Sequence, residues 1–69
     1  MLAPSAFPPR PLVTPVLGGA VVVLGVPFEN AHHAEGACLE ALGSLRSTVG
    51  RLGMLAAIVE LRALQGCAS

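Results

Sequence analysis

The spacing of hydrophobic positions changes near residue 30. From Pro11 to Phe28 the chain is almost continuously apolar, and Arg10 and Glu29 are the charges that bound it. Beyond Asn30, apolar residues return every third or fourth position instead. The second pattern predicts amphipathic helix. The first is ambiguous, because a short apolar run fits a buried helix, a strand or the core of a signal sequence.

Three features weigh on that run. It is shorter than the roughly 20 residues that cross a bilayer as a helix. Pro15 and Pro27 bracket its most apolar part, and Gly18-Gly19 lowers helicity in water. Against this, Ala20 to Val26 is β-branched and of strand length. A strand needs partners, however, and no second strand is legible in the chain. A signal sequence would need a more basic start and a cleaner small-residue cleavage site. The expectation is therefore an all-α fold, with a short hydrophobic helix near 13–26. The alternative is an α+β fold with one Val-rich strand at 20–26.

The second half reads as helix throughout. Asn30 is a suitable N-cap directly after the Pro27 break. One apolar stripe runs through Leu42, Leu45, Val49, Leu52, Ala56, Val59 and Ala63. A second, Leu55, Ile58, Leu61 and Leu64, widens the apolar surface toward the C-terminus. Gly43-Ser44 is the best interruption, since Gly ends helices and Ser starts them. Two helices, about 31–42 and 45–65, would form a hairpin or lie nearly end to end. Gly66 is a natural stop. The resulting organisation is a disordered Pro-rich tail at 1–11, a hydrophobic segment at 12–28 and an amphipathic helical region at 29–66.

Composition sharpens the picture. In 69 residues, 54% are apolar and 12% charged, about half the charge of an ordinary soluble domain. A chain of this length buries only about 60% of its unfolded surface. It therefore owns more apolar surface than it can cover alone, and a bilayer, a protein partner or self-association is expected. A formal net charge of zero leaves no electrostatic footprint for nucleic acid. Two phenylalanines and no Trp or Tyr leave no aromatic belt of the kind that marks membrane interfaces. The two cysteines, Cys38 and Cys67, are compatible with one bridge or with free thiols.

Little in the chain suggests chemistry. Glu29, His32, His33 and Cys38 are the one cluster of ligand-type residues. The adjacent histidines point about 100° apart on a helix, and the spacing matches no metal-ligand pattern. No serine or cysteine has a base with an orienting acid beside it. No catalytic residue, metal site, cofactor or small-molecule substrate is expected, and the chain does not read as an enzyme. Gly43 with Ser47, and Gly53 with Ala57, are small residues four apart, a spacing that lets helix backbones approach closely.

These readings converge on a small non-enzymatic, membrane-associated protein. It would dock an amphipathic helix on a partner or on itself through Leu42, Leu45, Val49, Leu52, Ala56 and Val59. The alternatives are a soluble accessory subunit that adds a strand to a partner's sheet, or a short translated frame without a specific function.

Overall fold

The computed structural model describes residues 11–68, and the side chains of Cys67 and Ala68 lie outside that description. The Pro-rich tail inferred for 1–11 falls, except for Pro11, outside the described residues. After Pro11 the chain forms a three-stranded antiparallel sheet, β1 (Val13–Pro15), β2 (Val21–Val23) and β3 (Val26–Phe28), in the order β1-β2-β3. Two helices then complete the chain, α1 (Ala31–Ser44) and α2 (Thr48–Ala68).

The all-α expectation is overturned by this sheet. No α-helix forms at 13–26, where the only helical residues are a single 3-10 turn at Leu17–Gly19; the fold is α+β, the class of the alternative reading, but its single strand at 20–26 is a hairpin instead. Leu24 and Gly25 divide it, with φ of 50° and 83°. Two consecutive positive φ values make a type I′ turn, whose twist matches that of the strands it joins. Glycine takes such a conformation freely, whereas a leucine there is uncommon. The other connection folds back at Leu17–Gly19, where Gly18 and Gly19 have φ of 85° and 88°. Residues that weaken a helix are thus the ones that reverse the chain.

Hydrogen bonding fixes which backbone groups face outward. Val23 pairs with Val26 across the two-residue turn, so they form a hydrogen-bonded pair and Val22–Pro27 a non-bonded one. On the other side, the Leu24 N–H donates to the Leu12 carbonyl at 2.9 Å, and the Val16 N–H to the Ala20 carbonyl at 2.8 Å. By alternation Thr14–Val22 is bonded and Pro15–Val21 is not. Pro15 and Pro27 therefore both turn their ring nitrogens to the outer edges. Proline is tolerated at such positions because no ladder bond is asked of it.

Asn30 ends the sheet and starts α1. Its Oδ1 accepts from the His33 N–H at 2.7 Å, as a capping side chain does. α1 runs through Gly43-Ser44, the expected interruption, and stops at Leu45. Ser47 then caps α2, its Oγ accepting from the Gly50 N–H at 3.2 Å. The two helices pack as a hairpin, with α1 also against β2 and β3 and α2 against β1.

One core joins the layers. Val13, Val21 and Val23 come from the sheet, Ala34 and Cys38 from α1, and Ala57, Ile58 and Leu61 from α2. Leu12, Phe28, Ala31, Leu42, Met54 and Leu64 pack around it, partly buried. Ala34 and Ala57 are both fully buried; small side chains at such points let helices approach closely.

Candidate docking surface

α2 is apolar on two opposite sides. At 100° per residue, Met54, Ala57, Ile58, Leu61 and Leu64 centre on one direction, and Val49, Leu52, Leu55, Ala56, Val59 and Ala63 on another about 180° away. The first set enters the core or packs against it. The second faces solvent, with Val49 80% exposed, Val59 66%, Leu52 62% and Leu55 44%; Ala56 and Ala63 are exposed as well. Polar groups stand between the two sides: Arg51 and Arg62 along one border, Glu60 along the other.

Those borders anchor the helix. Arg62 Nε donates to Glu35 Oε2 at 2.8 Å, and Gln65 Nε2 to Glu35 Oε1 at 2.7 Å. Both bonds tie α2 to α1 and hold the Glu35 carboxyl below its ordinary range, the Arg62 bond first. Arg51 Nη1 donates to the carbonyls of Leu42 and Leu45, at 2.9 and 3.1 Å. These carbonyls lie at the C-terminal end of α1, where a cation is favourable. The outer face is therefore presented by a fixed helix.

The inferred docking residues divide along these lines. Val49, Leu52, Ala56 and Val59 stand together on the outer face of α2. Leu42 and Leu45 do not: Leu42 packs on the core and Leu45, half-buried, belongs to the helix connection. Leu55 and Ala63 join the outer face although neither was expected to dock; Ala63 continues the first stripe and Leu55 heads the second. The small residues scatter. Ala57 is buried in the core and Ser47 is a cap. Gly43 and Gly53 meet nothing within 4 Å of where a Cβ would stand, so neither is a point of close helix approach within the chain.

The remaining polar cluster lies along the start of α1. Glu29, His32, His33 and Glu40 line an open cleft. His33 Nδ1 lies 3.4 Å from Glu29 Oε1, and the His33 ring meets Phe28 edge-on with centroids 6.0 Å apart. Among the described residues no three His, Cys, Asp or Glu side chains come together to hold a metal ion. Cys38 is a free thiol in the core, and burial pushes its pKa up. That keeps it protonated and unreactive.

Among the described residues, no helix is long and apolar enough to cross a membrane. In comparisons with known proteins, the chain matches no family model, no curated protein and no solved structure.

Proposed function

We propose that this chain is a small non-enzymatic interaction protein that docks the outer face of α2 on another helical surface. One observation carries the reading: α2 spends one apolar side on its own core and leaves an equally long one in water. An apolar stripe at helical spacing, carried on a rigid element, is the helix-in-groove mode of recognition. It fits a chain whose own core is too small to use all its apolar residues.

Membrane association rests in the sequence on a hydrophobic helix at 13–26. Those residues form strands and the turns between them, so its remaining support is the same face of α2, lying on a bilayer surface. Interfacial helices carry free cations on the polar side. Here Arg51 and Arg62 are already engaged by α1, which favours a protein surface. Strand addition fares worse. On β3, Pro27 is the residue whose backbone faces outward, and it has no N–H to donate.

The test is association of the tagged full chain in cells, read as the mass of its cross-linked assemblies. Leu52→Asp should release the chain from them. Leu17→Asp, at a residue 96% exposed on the β1–β2 connection and outside that face, should not, and both variants should keep the helical circular dichroism. If Leu52→Asp leaves the assemblies unchanged, this face is not the docking site.

A further inference from the structure

Resting on that reading, we infer that the occupant of the outer face is a second copy of this chain, with the two α2 helices antiparallel. The order of large and small side chains along the face points to it. Val49, Leu52, Ala56, Val59, Ala63 and Gly66 follow one another at alternating spacings of three and four. This is the seam of a two-helix packing. Place a second α2 antiparallel, with Leu52 against Ala63 of the second copy. The same register then sets Ala56 against Val59 and Val49 against Gly66. Every layer pairs a large side chain with a small one. Knobs meet space, and the backbones can come close. A parallel arrangement in register does the opposite. It stacks Leu52 on Leu52 and Val59 on Val59, then leaves Ala56 on Ala56 and Ala63 on Ala63 as gaps. Uneven layers of this kind lose packing contacts.

Charge agrees with the antiparallel register. Beside the seam, Glu60 faces Gly53 of the second copy and Arg62 faces Leu55, so no like charges are opposed. The formal net charge of zero removes the overall repulsion that keeps many small proteins apart. Opposed helix dipoles also favour an antiparallel pair.

Area sets the strength. α2 has 21 residues, about 31 Å of helix. Val49, Leu52, Leu55 and Val59 are 80%, 62%, 44% and 66% exposed, so one face of a single helix is all that each copy contributes, and the contact lies near the ~1,000 Å² at the low end of specific interfaces. The dimer is therefore weak, and dilution should dissociate it.

Sedimentation equilibrium of the full chain over a wide concentration range tests this, with a charge swap to fix the register. The wild type should move from monomer to dimer as concentration rises. Leu52→Glu alone and Ala63→Lys alone should each stay monomeric, with unchanged circular dichroism. The double variant carrying both should dimerise again, more weakly at high salt, because the acid placed at 52 meets the base placed at 63 of the other copy. A wild type that stays monomeric at every concentration overturns the inference, as does a dimer indifferent to Leu52→Glu or a double variant that is not rescued. Flotation with neutral phosphatidylcholine vesicles separates the bilayer alternative: a monomer that floats, and ceases to float with Leu52→Glu, overturns the dimer in favour of a lipid surface. A monomer in buffer that Leu52→Asp still releases from cellular assemblies leaves the docking reading standing and removes only the second copy as occupant. If those assemblies also survive Leu52→Asp, both fall.

Discussion

The inner and outer sides of α2 are built from the same alphabet and live in opposite surroundings. The inner side has Ala57, Ile58 and Leu61; the outer has Leu52, Ala56 and Val59. Ala57 and Leu61 are sealed from water completely, while Leu52 and Val59 are mostly bathed in it. Hydrophobicity therefore does not say which side of a helix a fold will claim. Position relative to α1 and β1 does, because together they supply a surface that only one side of α2 can meet. The contrast also separates what maintains the fold from what remains for association.

That separation can be attacked from the core outward. Leu61→Ala removes a fully buried side chain and should cost about 2–5 kcal/mol. In a chain this small that is most of the stability, so urea titration should find the variant largely unfolded. A cost below about 1 kcal/mol would mean that the inner side is not the core.

The borders come next. Arg51→Ala frees two carbonyls at the end of α1 and should cost about 1 kcal/mol, seen as a lower melting temperature with the helical spectrum retained. Glu35 adds a pH dependence. Its carboxyl is held below the ordinary 4.5 by Arg62 and Gln65. The stabilisation is thus present above the unfolded-state value and is lost as pH falls through the lower, folded one. Melting temperature should fall across that acidic window, and Glu35→Gln should flatten that part of the profile. If the Glu35→Gln profile keeps the same slope, the bridge between the helices contributes nothing.

The outer side should give the smallest effect. At a concentration where the chain is monomeric, Leu52→Ala should change stability by no more than about 0.5 kcal/mol. A larger loss would show that Leu52 supports the fold, and the distinction between the two sides of α2 would fail.

The helical half was legible because its signals are local. Asn30 sits where the apolar pattern changes period, and it caps α1. The two helices are present with shifted ends, since Ser47 and not Ser44 starts α2. The stripes were visible too, but not their fates. The first stripe reads as the docking face, and its α2 residues lie outside the core, while the core takes the second stripe except for Leu55. Nothing in a helical pattern alone ranks two apolar faces. The sheet was hidden for a different reason. Each strand has three residues, too few for an alternation to show, and β1 and β3 each contain a proline, which argues against a strand. The turn at Leu24-Gly25 lacks the Asn-Gly or Asp-Gly signature, so the hairpin carried no local flag. Its stability comes from the helices it lies against, and those contacts are distant in sequence.

The rims of the sheet bear on what becomes of the folded molecule when it is crowded. Stacking of chains into fibrils requires each new strand to find a ladder of donors and acceptors on the last. Between Pro15 on one rim and Pro27 on the other, the described strands offer a single outward amide hydrogen, that of Val13. Growth by templating on the folded molecule is blocked at one rim and starved at the other, so crowding the native chain should not seed fibrils that bind amyloid dyes.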